Sequence, residues 1–419
     1  MRILFIHEGF GQFQTLHQHL NASGLAESWF LCSTGVHDAN KDRVPNLVPF
    51  RMVAENPKSY FYTRGLEART QRSFLLREAI AKLIEHTPID VIVAHGSGGF
   101  PLQIFDSFDI PVISYIEFPS FTAHGYDARY PQPEYAAYRD RLFEMTSYHQ
   151  AVKSDMTIVP SEYARRMFPA CLHERIVAQM EGFDIVRKPS RFKRKEGVFH
   201  IGFAARDLSS AKGFEQFILI AKEILKVRPN VRFVFCGSPK VLYSYEGAFL
   251  QAQFPDEATR PASFMQYVLE REGITLGPDA AFEHVDFAGY EDFASYIEAM
   301  DLFLYPLQFG SANWGLFELL FRARTIIASD RCFIPEVIRN GYNGYLCKYD
   351  DIPAWVRLAT AIIDAPAAHA HIGETAAADA QRRYHVKAVA ERYLSIFEMA
   401  IQRRKLGLSV TTPVAASET

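Results

Sequence analysis

Short runs of β-branched and aromatic residues alternate along this chain with longer amphipathic stretches. In the first half the runs are RILFIH, SWFLCS, DVIVAH, PVISYI, MTIVP and RIVAQM; in the second they are VFHIGF, VRFVFCG, VDFAGY, DLFLYP, TIIASD and NGYLC. They are nearly continuous in apolar character rather than alternating, as strands are when helices cover both sheet faces. Helical patterns between them include residues 213–227, 293–300 and 314–323. Strand and helix in regular alternation predict an α/β fold with parallel sheets.

The two series are separated by RKPSRFKRKEG, residues 187–197, in which six of the first nine residues are Lys or Arg. A linker is the plain interpretation, and a membrane-facing or acidic-acceptor patch the sharper one. With 419 residues the chain suits two domains better than one. The expected division is 1–186, 187–385, a C-terminal helix over 386–405 that packs back toward the first domain, and a disordered tail over 406–419. The final helix has Val389, Tyr393, Ile396 and Met399 at helical spacing, and the tail is rich in Ser, Thr and Ala.

Composition narrows the class. A formal charge of −3 gives no general attraction to nucleic acid or anionic membranes. Five scattered cysteines with no CxxC pair argue against a disulfide framework or zinc cluster and fit a reducing cytoplasm. The opening MRILFIHEGF turns polar too soon for a secretory signal, and no apolar stretch is long enough to span a membrane.

Two glycine-containing loops carry candidate chemistry. After the first strand comes GFGQFQTLHQHL, with Gly9 and Gly11 ahead of a helix. It is not a dinucleotide fingerprint: Gln14 replaces the third glycine, and the second strand ends in Cys32-Ser33-Thr34 with no ribose-binding acid. Gly11 either lets backbone N–H groups approach an anion or simply makes a tight turn. In the second half, Arg206 closes the strand VFHIGFAARD and Lys212 precedes a helix begun by Gly213. Two cations at a helix N-terminus form an anion trap, unless they serve surface salt bridges. Farther on, YPLQFGSANWGLFELLFRARTIIASD leads from a strand through a polar loop into a helix at Trp314 that carries Glu318. A carboxylate among Leu316, Phe317, Leu319 and Leu320 requires a partner, either ribose hydroxyls or Arg322 one turn on.

Together these segments resemble retaining glycosyltransferases of the GT-B fold, sequence family 4. The resemblance runs through RILFIHEGFGQF, YIEFPSFTAHGYDARYP, MTIVPSEYARRMFP, EGFD at 181–184 and WGLFELLFRARTIIASDRCFIPEVIRNGYNGYLC. It implies two Rossmann-like domains facing a central cleft. It also implies Arg206 and Lys212 on the donor diphosphate, Glu318 on the ribose, and Gly11 near the distal phosphate or sugar. His95, in the loop AHGSGG, would face sugar and acceptor from the first domain, unless it is a structural or capping histidine. Trp314 and Gly315 fit the Trp-Gly variant of the nucleotide-binding motif and count as donor-binding residues. Two departures stand out. Eight positions before Glu318, where the family carries another glutamate that meets the transferred sugar, stands Gly310, and its loop offers only Gln308, Ser311 and Asn313. LLFRART replaces the usual small-residue run of the helix.

The resemblance thus implies transfer from a nucleotide-diphosphate sugar to a glycan, lipid-linked or small-molecule acceptor, with retention and without a cofactor. Metal independence is expected because no Asp-x-Asp occurs and two cations replace an ion. Two alternatives stay open: a nucleotide-sugar isomerase or hydrolase using Glu117 and Asp127, and a non-catalytic nucleotide-sugar-binding protein. Arg64, Arg69, Arg72 and Arg77 suggest a solvated helix face, or peripheral contact with the inner face of a membrane. His369 and His371 are ascribed to an ordinary helix–turn region.

Overall fold

A computed structural model of the chain describes residues 1–240, 243–286 and 289–410. The chain divides into two compact units, one of Met1–His124, Glu134–Asp184 and Tyr384 onward, the other of Gly125–Pro133 and Ile185–Arg383.

The first unit holds a seven-stranded parallel sheet: β1 (Arg2–Ile6), β2 (Glu27–Ser33), β3 (Leu47–Phe50), β4 (Val91–His95), β5 (Val112–Tyr115), β6 (Met156–Val159) and β7 (Ile176–Ala178), in the order β3-β2-β1-β4-β5-β6-β7. β3 escapes detection in the sequence because Pro49 interrupts a four-residue run, which is tolerated at a sheet edge. On one face Phe5, Phe13, Phe30 and Val93 pack against Val386, Val389, Tyr393 and Phe397 of the helix Val386–Lys405. On the other, Leu4, Ile6 and Ile92 meet Leu76 and Ile80 of the helix Arg64–Ile84. Of the expected disordered tail, residues 411–419 lie outside the described residues. Leu408 and Gly407 donate backbone N–H groups to Arg403 and Arg404, so the chain just past the helix is tied to its last turn.

The second unit holds a six-stranded parallel sheet: β8 (Phe199–Asp207), β9 (Val231–Ser238), β10 (Phe282–Val285), β11 (Leu302–Tyr305), β12 (Ile326–Ser329) and β13 (Tyr345–Cys347), in the order β10-β9-β8-β11-β12-β13. β10 lies earlier than the run VDFAGY suggests, because Phe282 pairs with Phe233 of β9 and stacks on its ring at 5.4 Å. Phe287 and Ala288 of that run lie outside the described residues. The basic stretch 187–197 is not loose. Arg187, Lys188 and Arg194 pair with Glu374, Glu291 and Asp301, and Ser190 bonds Ser295, all within the second unit.

Residues 125–133 also depart from sequence order. They interrupt the first half of the chain yet belong to the second unit, where Tyr130 enters the core against Phe249 and Phe264. Arg129 bridges Asp127 at 2.7 Å and Glu215 at 2.8 Å. A buried pair of carboxylates sharing a guanidinium is costly to break from one side, which fixes this strap in place.

Candidate active site

In both sheets the strand order reverses beside the first strand, between β1 and β4 and between β8 and β11. Ligands of open α/β sheets bind beyond the carboxyl ends of the strands at such points. The candidate residues fall there.

In the second unit, β8 loses regular pairing with β9 between Ala204 and Asp207, and Arg206 stands at that irregularity with its side chain largely exposed. Its guanidinium donates to Asp207 at 3.1 Å. The chain then winds through Ser209 and Ser210 into the helix Phe214–Val227. Gly213 takes the left-handed conformation, φ 79°, and a Cβ there would overlap the Pro306 carbonyl oxygen. Only glycine fits, and the close approach locks the Lys212–Gly213 turn onto the loop that follows β11. The same loop donates the Gln308 and Phe309 N–H groups to the Ala211 carbonyl, each at 3.1 Å. Below the turn, Ser210 donates both its N–H and its hydroxyl to the buried Glu246, at 2.7 and 2.8 Å. Burial pushes the Glu246 carboxyl up to about 7. The sequence gives no sign of Glu246, a single acid in the aromatic run LYSYEGAFL.

The helix Trp314–Phe321 begins with Asn313 as cap, its side chain accepting from the Gly315 N–H at 3.0 Å. A Cβ on Gly315 would meet the Ala204 carbonyl oxygen at 3.7 Å, so this helix start lies against the end of β8, with Trp314 half exposed. Arg206, Lys212, Trp314 and Gly315 therefore come from neighbouring loops. Glu318 is oriented differently. One carboxylate oxygen accepts from Tyr290 at 2.8 Å and the other from Arg322 at 3.1 Å, and Arg322 also reaches Glu298 at 3.3 Å. The internal partner anticipated at i+4 is present, and a ribose hydroxyl would share a carboxylate that is already paired.

In the first unit, Gly11 (φ 43°) leads into a single turn and the helix Gln14–Ser23. A Cβ on Gly11 would come within 2.6 Å of the His7 ring, and His7 Nδ1 accepts from the Gly9 N–H at 2.9 Å. His7 follows β1 and His95 ends β4; their rings meet edge to face at 4.7 Å. His95 is only 4% exposed. Its Nδ1 contacts the Ser97 hydroxyl at 2.7 Å, while its Nε2 is buried without a hydrogen-bond partner among the described residues. Burial, reinforced by His7, holds His95 well below the usual histidine range, and burial lowers His7 too, so both rings are neutral at pH 7. The structure thus brings Gly11 and His95 together through His7, a residue visible in the sequence only as the polar end of the first strand. Glu117 accepts from Gln12 at 2.5 Å and Asp127 is held by Arg129, so neither carboxylate of the isomerase or hydrolase alternative lacks a partner.

Three of the four helix arginines are engaged within the first unit rather than forming a solvated stripe. Arg64 pairs with Glu55, Arg69 lies 4.8 Å over Phe143, and Arg72 donates to the Gly98 carbonyl; Arg77 is exposed. His369 contacts the Tyr345 hydroxyl at 2.6 Å. Among the described residues no helix is long and apolar enough to cross a membrane, and no group of three or more His, Cys, Asp or Glu is placed to hold a metal.

Two family models match in succession. Residues 25–187 match the glycosyl transferase family 4 group, and residues 186–379 match glycosyl transferases group 1. The chain is a glycosyltransferase of the GT-B type. Solved structures share the fold of this glycosyltransferase at low identity. Sucrose-phosphate synthase from Thermosynechococcus elongatus superposes with TM-score 0.70 at 13% identity, covering 98% of this chain and 100% of that one. HepE from Anabaena, solved in complex with UDP-glucose, gives TM-score 0.64 at 16% identity over 95% and 99%. A glycosyltransferase from Rickettsia africae gives 0.63 at 11% over 96% and 98%. No curated protein matches the sequence significantly.

Proposed function

We propose that this glycosyltransferase uses a nucleoside-diphosphate sugar and transfers the sugar, with retention, to a hydroxyl of a glycan, a lipid-linked saccharide or a small molecule. The observation that carries the donor assignment is the Lys212–Gly213 turn, locked under Pro306 at the N-terminus of the helix Phe214–Val227 and one loop from Arg206. The positive end of a helix dipole and two cations suit a diphosphate, and each charge-assisted contact contributes about 1.5–3 kcal/mol. The anomeric C–O bond breaks, the nucleoside diphosphate leaves, and the charge gained by its β-phosphate is stabilised more than the ground state. The acceptor hydroxyl supplies the new C–O bond and its proton passes to the departing phosphate. Retention is what the resemblance to retaining enzymes implies. HepE, with the same fold, is a structure holding UDP-glucose, which favours a uridine donor as the first to try. Transfer needs no metal in this scheme, since Arg206 and Lys212 carry the two positive charges. In the first unit, His95 offers a neutral, unpaired Nε2 to a sugar or acceptor hydroxyl.

The test is turnover of UDP-, GDP- and ADP-sugars with and without saccharide acceptors, with the anomeric configuration followed by proton NMR. Acceptor-dependent product with the donor's configuration supports the proposal. Free or rearranged sugar without acceptor would point to a hydrolase or isomerase, and binding with no turnover to a nucleotide-sugar-binding protein.

A further inference from the structure

The turn that carries Lys212 is held from beneath by an acid that the scheme above does not use. Glu246 is only 1% exposed, and one of its carboxyl oxygens accepts both the Ser210 N–H (2.7 Å) and the Ser210 hydroxyl (2.8 Å). The carbonyl of Ser210 accepts the Gly213 N–H at 2.9 Å, so the residue that Glu246 grips is the one that closes the turn. Ser209 accepts the Lys212 N–H on its hydroxyl at 3.4 Å and the Phe214 N–H on its carbonyl at 3.2 Å. These three backbone N–H groups are thus used inside the turn, and an anion there is met by side chains whose placement the turn decides. The negative groups facing Glu246 are Asp207, the last residue of β8, and Asp127 of the strap Gly125–Pro133, and both oppose its ionisation. Arg206 is drawn to Asp207, and Arg129 to Asp127. Tyr243 and Tyr245, on its own segment, are kept neutral by burial. The helix Phe264–Glu272 contributes Phe264 and Val268 to the core around Tyr245, with its Arg271 turned to Glu215 and Glu272. A neutral amide would accept the same two bonds from Ser210 without the penalty of burying a charge. What a carboxyl adds at this place is a proton that it can hold or release.

We infer that Glu246 is a positioning residue of the donor site that couples donor binding to proton uptake: its neutral carboxyl holds the Ser210–Gly213 turn for the diphosphate, and its ionised form opposes the ligand. The inference rests on the donor reading above. A diphosphate brought to Lys212 adds its charge to those of Asp207 and Asp127, so the bound donor favours the protonated acid. Burial already leaves the carboxyl of the unliganded protein at about 7, where small changes in pH alter its charge. The sign follows from linkage. The donor binds most tightly below pH 7, and its affinity falls as pH rises through 7, because binding then draws a proton from solution. A diphosphate that raises the carboxyl by about one further unit changes the affinity about tenfold across that range.

The experiment is isothermal titration of UDP-glucose, or of the GDP or ADP conjugate that the wild type prefers, between pH 6 and 8.5 in two buffers of different ionisation enthalpy. A sugar nucleotide's diphosphate does not itself titrate in that range, so proton uptake reports the protein. The wild type should bind about tenfold more weakly at pH 8.5 than at pH 6 and take up about half a proton near pH 7.5. Glu246→Gln keeps an oxygen for Ser210 and has no proton to exchange, so both the pH dependence and the uptake should vanish. Glu246→Met lacks the acceptor as well and should bind about tenfold more weakly than Glu246→Gln at every pH. Ser210→Ala removes one bond to the ionised carboxyl and should move the midpoint of the pH dependence upward; this variant keeps the assignment testable even where a Glu246 variant fails to fold. A flat pH profile in the wild type, uptake that persists in Glu246→Gln, or a midpoint unmoved by Ser210→Ala overturns the inference and leaves the donor reading standing. Equal binding by Glu246→Met and Glu246→Gln overturns the positioning role. Failure of the wild type to bind any of the three sugar nucleotides at any pH overturns the donor reading and this inference with it.

Discussion

Each unit has its own order reversal beside its first strand, and the residues at the two reversals have opposite chemistry. At the carboxyl ends of β1 and β4 the polar groups are two neutral, buried histidines pressed together, His7 and His95, with Gly11 folded onto the first. At the ends of β8 and β11 they are two cations, Arg206 and Lys212. Under the proposed function the second set meets the diphosphate, and the uncharged imidazoles of the first suit a sugar or acceptor hydroxyl. The fold supplies a place for a ligand, and the residues at the strand ends decide which ligand it is.

The largest effect that should separate the two crevices comes from glycine. Gly213→Ala forces a Cβ into the Pro306 carbonyl at φ 79°, so the turn must move. We expect a fall in nucleotide affinity of more than about 100-fold, together with a lower melting temperature. Gly24→Ala, at φ 71° with nothing within 4 Å, is the control; it should cost only about 1 kcal/mol and leave nucleotide binding intact. If both substitutions behave alike, the close approach at Gly213 has no functional meaning.

His95→Gln should give the next largest effect, with the opposite pattern. It removes the imidazole Nε2 while retaining a polar side chain, and kcat should drop about 100-fold with the nucleotide dissociation constant unchanged. A rise in that constant with unaltered kcat would move His95 out of the chemistry.

Proton linkage sharpens the comparison with a smaller effect. Burial lowers His17 in the first unit to about 4. Its Nε2 donates to the Pro45 carbonyl (3.0 Å), so its Nδ1 accepts from Ser28 (2.8 Å) and the ring stays neutral. Below the unfolded value of 6.5 the unfolded chain takes up a proton that the folded chain refuses. This contribution is therefore present above pH 6.5 and is lost as pH falls toward 4. Glu246 in the second unit has the reverse sign. Raised from 4.5 to about 7, it favours the fold below pH 4.5, and that advantage is lost as pH rises through 7. Each contribution is on the order of 3 kcal/mol at most. In urea melts from pH 4.5 to 8, His17→Gln should flatten the acid limb and Glu246→Gln the neutral limb. Changes of the same sign in both variants would refute these assignments.

The strands were legible because parallel sheets covered on both faces demand unbroken apolar runs, and Ile3–Ile6 and Ile201–Phe203 show it. β3 was hidden by Pro49, and the start of β10 by Glu283 and His284, polar residues in an edge strand. Of the candidate site, the Lys212–Gly213 turn stood out in the sequence because a left-handed turn packed on another loop requires glycine at a fixed place. His7, Glu246 and the link from Asp127 through Arg129 to Glu215 could not be read there. Each depends on contacts between residues tens to hundreds of positions apart, and GYDARYP carries no local signal that it will leave its own half of the chain. For Glu318 the sequence offered two partners, ribose hydroxyls or Arg322 one turn on; Arg322 is in place, and Tyr290, which no local pattern announced, joins it.

The central claim is that the Lys212 turn holds a nucleoside diphosphate, and thermal-shift titration with UDP, GDP and ADP tests it most directly on wild type, Lys212→Ala and His95→Gln. At 100 times its dissociation constant a ligand adds about 2.7 kcal/mol of stability, a readily measured shift. The account predicts that one diphosphate stabilises wild type and His95→Gln alike and leaves Lys212→Ala unmoved. Equal stabilisation of Lys212→Ala, or no shift of the wild type with any of the three, would contradict it.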